Sequence, residues 1–180
     1  MTDTATDSSQ TIRVEVFLRK CASPDVIDTL GETVARSRRL ENRDGGIDVH
    51  VKTWTSSVRP AIEALSDSGP SVSLTVDAFQ SWADREGYSL RPAFERHETP
   101  TRDGRDETVE VIRVPIVCVA VYENGDLECV APCSDGDRTF TVQQCLSALE
   151  DGRTEPFAER DDLQDCSGDW PREPAPEKSE

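Results

Sequence analysis

The chain reads as one α/β domain, a mixed β-sheet flanked by helices, with disordered acidic tails at both ends. Three observations predict this class. Strand, helix and strand patterns follow one another between residues 12 and 54; an Asn-Gly dipeptide separates two apolar runs within residues 117–131; and a helix-period segment follows that hairpin. A strand–helix–strand succession makes parallel neighbours with a right-handed crossover, whereas a two-residue turn joins antiparallel ones, so the sheet is mixed. The domain is expected over residues 12–151. It stands between a polar tail at 1–11 and a proline-rich tail at 152–180 that has too little apolar surface to order itself.

In IRVEVFLR, Val14, Val16 and Leu18 alternate with Arg13, Glu15 and Arg19, which is strand spacing. Ser23-Pro24 then starts a helix with proline at its first position, and Val26, Ile27, Leu30, Val34 and Leu40 are its expected buried stripe. After Gly45-Gly46, IDVHVKTW is a second strand, with Ile47, Val49 and Val51 on one face and His50 and Lys52 on the other. Residues 56–73 combine a segment suited to a short helix, VRPAIEAL, with the loop SDSGPS. A firmer helix is expected from about Thr75 to Glu86, burying Val76, Phe79, Trp82 and Ala83 and stopping at Gly87. Residues 92–97 and 108–113 flank a charged turn and read as a strand pair.

The Asn124-Gly125 turn carries the strongest local signal, because both residues tolerate positive φ and a primed two-residue turn matches strand twist. Centred there, it pairs Glu123 with Asp126, Tyr122 with Leu127, Ala120 with Cys129 and Cys118 with Ala131. Cys118 and Cys129 would then share a face as diagonal neighbours roughly 7 Å apart. Both faces of the hairpin are apolar, so structure is expected on each side. SDGDRTF is a turn-rich link, and Thr141 caps a last helix with Val142, Cys145, Leu146 and Leu149 inward and Gly152 beyond its end.

A net charge of −16 over 180 residues, with only Lys20, Lys52 and Lys178 as lysine among 20 basic residues, describes a surface that stays hydrated in concentrated salt. At about 1 M ionic strength the Debye length is roughly 3 Å and self-repulsion is screened. A salt-loving cytoplasm follows as the expected setting. The chain has no apolar stretch long enough for a membrane helix and no signal-like amino terminus, so a soluble cytosolic protein without membrane partners is expected. No basic stripe suited to nonspecific nucleic-acid binding is visible.

Six cysteines in a reducing cytosol are expected as thiols. Cys129 and Cys133, with Cys145 and Cys166, match no compact zinc spacing, and His50 and His97 stand alone, so neither a metal nor a cofactor is expected.

Val14 to Leu18, Cys21 to Pro24, Val114-Pro115-Ile116 and the Glu123-Asn124-Gly125-Asp126 tip together resemble the thioredoxin-like fold. That resemblance implies a cis-proline position at Pro115 facing a thiol at Cys21, where a helix amino terminus lowers a cysteine pKa. Pro24 replaces the second cysteine, which leaves a monothiol role for Cys21 as the alternative function. Over residues 14–150 the stretches VEVFLRKCASP, RLENRDGGIDVHVKTW, FQSWADREGYSLRPAFE and VPIVCVAVYENGDLECVAPCSDGDRTFTV are similar to a haloarchaeal family catalogued as helix-turn-helix domain proteins. This likeness implies a non-enzymatic binding or regulatory module with DNA or a protein as partner. Arg36, Arg38, Arg39 and Arg43 are the candidate DNA contacts, although arginines late in a helix also complement its dipole and pair with carboxylates. The Ala83-x-x-x-Gly87 spacing fits either a helix-turn-helix turn or a plain helix C-cap.

Overall fold

The computed structural model describes residues 11–20, 23–42, 46–65, 71–101 and 108–154. Strand β1 (Ile12–Arg19) leads through helix α1 (Pro24–Glu41) to β2 (Ile47–Trp54), which lies parallel to β1 as the crossover requires. Ser23 is the N-cap of α1, with Pro24 at the first position. The buried stripe of α1 differs from the expected one. Ile27 is 57 % exposed, whereas Thr33, Ser37 and Leu40 are buried. The 30–33–37–40 spacing follows the helical repeat, and the two polar members satisfy themselves: Thr33 Oγ1 donates to Thr29 O at 2.9 Å and Ser37 Oγ to Thr33 O at 2.8 Å.

The ambiguous stretch resolves into a two-residue strand β3 (Ser57–Val58) and a single-turn helix α2 (Pro60–Glu63). Helix α3 (Val72–Glu86) begins three residues before the expected start and buries Val76, Phe79, Trp82 and Ala83. Strands β4 (Glu95–Pro100) and β5 (Thr108–Arg113) form the expected antiparallel pair, although β4 starts three residues later than expected because residues 91–94 turn, and β3 joins them in a separate sheet of order β3-β5-β4.

Strands β6 (Val117–Glu123) and β7 (Asp126–Ala131) are the Asn-Gly hairpin, with Asn124 at φ 52° and Gly125 at φ 98°. They complete a mixed sheet of order β2-β1-β6-β7. Glu123–Asp126 and Tyr122–Leu127 pair as the turn dictates, but beyond them Val121 faces Cys129, Ala120 faces Val130 and Val119 faces Ala131. Glu128 is the extra residue of a β-bulge, which corrects the expected Ala120–Cys129 and Cys118–Ala131 pairs. Cys129 therefore shares a face with Val119 and Val121, and Cys118 lies on the opposite face. The supposed loop after β7 contains a small hairpin, β8 (Cys133–Ser134) and β9 (Thr139–Phe140). Helix α4 (Val142–Glu150) follows, started by a capping box between Thr141 and Gln144.

Strand parity and side-chain contacts show what covers each face. Val14, Val16, Val121 and Cys129 face α1 and α4: Cys129 Sγ lies 3.7 Å from Cys145 Sγ on α4, and Arg36 ties α1 to α4. Phe17, one residue out of phase, faces α3 and meets Phe79 edge-on with ring centroids 5.7 Å apart. Trp54 stacks on Phe17 at 4.8 Å, and Phe94 closes the cluster against Trp54 and Phe79. One continuous core thus spans both sheets.

Candidate functional site

The segment from β3 to β5 runs strand, helix, helix, strand, strand. Pro60 opens α2 because the first helical position needs no amide donor, and Arg59 precedes it as N-cap. Glu63, the last residue of α2, caps the next helix. Its carboxylate accepts from Val72 N at 2.5 Å, Ser73 N at 2.8 Å, Ser73 Oγ at 2.5 Å and Ser71 Oγ at 3.0 Å. Ser71 adds the usual side-chain cap by accepting from Leu74 N at 3.3 Å. Two helices are thereby pinned end to end, although residues 66–70 of the segment between them lie outside the described part.

Burial raises the Glu63 pKa, but the bonds from Ser73, Val72 and Ser71 outweigh it and hold the carboxyl below its ordinary value of 4.5. A depressed folded-state pKa stabilises above the unfolded value and loses that contribution as pH falls through the folded one. Melting temperature should therefore fall on acidification below about pH 4.5, and Glu63→Gln should flatten that acid limb while lowering stability at neutral pH by about 1 kcal/mol. An unchanged acid limb in the variant would show that the cap contributes nothing.

Helix α3 turns Leu74, Asp77, Ala78, Ser81, Asp84 and Arg85 outward. Asp77 pairs with Arg96 on β4, which also reaches Glu110 on β5 at 3.1 Å. Gly87, at φ 77°, is the C-cap, and its N–H bonds to Ala83 O. After it the chain bridges to Ser134 through Ser89 and enters β4, with no helix between residues 87 and 95. The Ala83–Gly87 spacing is thus a C-cap, and the helix pair lies upstream of it as α2 and α3.

Beside this pair, at the carboxyl ends of β1 and β2, two adjoining cavities of about 270 and 620 Å³ share Thr53, Trp54 and Val72. Lys52 lines the smaller; Lys20, Arg59 and Glu63 line the larger. Such a crevice at strand ends is where open α/β sheets usually take ligands. Ile62 on α2, Leu65 just beyond its end and Leu74 on α3, at 52, 87 and 69 % exposed, put three large apolar side chains on this part of the surface. Nothing in the local sequence pattern singled out this crevice.

The sequence-predicted residues are dispersed. Cys21 and Arg43 lie outside the described residues. Pro115 leads into β6, its carbonyl accepts from Trp54 Nε1 at 3.1 Å, and its peptide bond is trans; among the described residues the cis prolines are Pro92 and Pro132. Arg36 is fully engaged: Nε and Nη2 each donate to Glu150 at 2.6 Å, Nη1 to Gln143 Oε1 at 2.7 Å and Nη2 to Ser147 Oγ at 2.6 Å. The bonds to Glu150 raise its pKa further. Arg38 and Arg39 are exposed in the last turn of α1. They stand on the helix layer that covers one face of the main sheet, whereas α3 covers the other, so one surface does not combine them.

Cys118, Cys129, Cys133 and Cys145 are buried. Burial above all pushes the Cys118 and Cys129 thiols well above their ordinary pKa, which makes them core residues rather than nucleophiles. Among the described residues no group of three or more His, Cys, Asp or Glu could hold a metal ion, and no helix is long and apolar enough to cross a membrane.

A family model described as a helix-turn-helix domain matches residues 6–154. No curated protein and no solved structure matches the chain.

Proposed function

The chain belongs to this helix-turn-helix domain family, and from that premise we propose that it is a non-enzymatic regulatory protein that binds DNA through α2, α3 and the β4–β5 hairpin. One observation carries the reading. Within the matched region the helix pair is backed by a three-stranded sheet of order β3-β5-β4, whose last two strands form a hairpin, the arrangement of a winged helix. In that arrangement the second helix of the pair enters the major groove.

The chemistry of the surface is consistent with groove reading in a salt-rich cytosol. Phosphate attraction weakens steeply with salt, so base-edge and apolar contacts must carry recognition there. On α3, Arg85 keeps its terminal guanidinium donors beside the Nε bond to Glu86, the Ser81 hydroxyl, which donates to Asp77 O, offers an acceptor, and Leu74 suits a thymine methyl group. The acidic charge of Asp77 is offset by Arg96. Lys20 and Arg59, at the foot of α2, supply positive charge for flanking phosphates on the same side of the molecule.

Gel retardation of genomic fragments in molar KCl tests the proposal. Wild-type protein should retard a subset of fragments, and Ala78→Glu, which adds a carboxylate to the outward face of α3 at small helical cost, should weaken binding about tenfold or more. The Arg38→Ala, Arg39→Ala double variant should bind as wild type. No retarded fragment would remove DNA binding; loss confined to the arginine variant would move the contact to the other helix layer.

A further inference from the structure

The main sheet ends in a strand that, among the described residues, has β1 as a neighbour on one side and no strand on the other. β2 is last in the order β2-β1-β6-β7, runs for eight residues beside β1 without a bulge, and is exposed or half-exposed from Ile47 to Thr53. An open edge of that length offers a row of unpaired N–H and C=O groups, a template for another strand.

What the template would accept is written in the strand itself. Two copies of β2 paired about a two-fold axis run antiparallel, and facing residues must point to the same side of the sheet, which restricts the register to shifts of two. With His50 opposite the partner's His50, Asp48 faces the partner's Lys52, Lys52 faces the partner's Asp48, and Val49 and Val51 face the partner's Val51 and Val49. A shift of two residues one way places Lys52 opposite the partner's Gly46; the other way, it places Lys52 opposite the partner's His50 and Asp48 opposite the partner's Trp54. The shift toward Gly46 also matches Val49 with Val49 and Ile47 with Val51, but it sets Asp48, already 2.7 Å from His50 Nε2 of its own strand, against the partner's His50. Of the three, the register about His50 alone opposes lysine to aspartate while matching valine with valine.

Further features fit the same edge. Val51 at 36 % and Ile27 at 57 % are among the few exposed large apolar residues, and Ile27 belongs to α1, the helix packed against β2. Lys52 already sits 2.7 Å from the buried carboxylate of Glu15 on β1, so its ammonium is held on the face where the partner's Asp48 would arrive. Charges alone could serve to keep an edge from aggregating. That role requires neither mirror-image placement of opposite signs nor exposed valine and isoleucine beside them.

We propose that the chain forms a two-fold homodimer by antiparallel pairing of β2 with the partner's β2 in the register centred on His50, joining two four-stranded sheets into one of eight. This stands apart from the DNA-binding reading, and its test contains no DNA. In molar KCl, light scattering or sedimentation should give twice the chain mass. Val51→Asp, which sets a carboxylate against the partner's Val49, should raise the dimer dissociation constant about tenfold or more. Because that variant also sets a carboxylate beside α1, His50→Cys supplies a second measurement. Facing residues of an antiparallel pair have Cβ atoms about 5 Å apart, so mild oxidation should link two chains through position 50, while Asp48→Cys should not link through position 48. A monomeric wild-type chain, or a dimer that links no better through position 50 than through position 48, overturns the proposal.

Discussion

Replacing Phe79 with alanine is expected to destabilise the protein by about 3–5 kcal/mol, the usual cost of deleting a fully enclosed aromatic ring. Phe79 has no exposed surface and meets Phe17 and Phe94 edge-on at 5.7 and 6.1 Å. It sits where α3, the main sheet and the segment entering β4 converge. Lost transfer energy is therefore compounded by a cavity that none of three elements can collapse into alone. Phe79→Leu should cost markedly less because most of the volume remains. Urea unfolding at fixed KCl, followed at far-ultraviolet and tryptophan wavelengths, would check this. A loss below about 1 kcal/mol would mean that the site relaxes freely, and non-coincident transitions in wild type would mean that the ring cluster does not couple the two sheets.

The second large effect lies across the sheet. Arg36→Ala should cost about 2 kcal/mol, between the near-zero value of an exposed ion pair and the larger penalty for breaking a buried one. The pair is intermediate by its own burial, with Arg36 19 % and Glu150 30 % exposed, and its geometry is the bidentate fork that makes such contacts strong. Truncation strips α4 of bonds to Glu150, Gln143 and Ser147 together. Lysine should recover little, because one ammonium cannot span those acceptors. In a double-mutant cycle, Arg36→Ala and Glu150→Ala should show a coupling of about 1 kcal/mol or more. Additive losses would show that the two side chains act separately.

Arg36 also illustrates why the sequence reading of the site was incomplete. Its place among four arginines near a helix end was visible, but its partner stands 114 residues away and no local pattern connects them. The same holds for Glu63, whose carboxylate caps α3 from nine and ten residues upstream. By contrast, the β1–α1–β2 unit, the Asn124-Gly125 turn, the stripe of α3 and the Thr141 cap were legible because each is decided by residues within a few positions of one another. The buried Thr33 and Ser37 were passed over because their bonds to the preceding turn hide their polarity only once the helix exists. Glu128 misled the register because alternation has no term for an extra residue. The two-residue strands β3, β8 and β9 are too short for any period to show.

The central sheet has one more consequence. Its buried valines form a bulkhead with α1 and α4 on one side and α3 on the other, and both sides pack against that one wall. A change in the layer held by Arg36 therefore reaches the aromatic cluster around Phe79 through that wall, so the two surfaces share one stability.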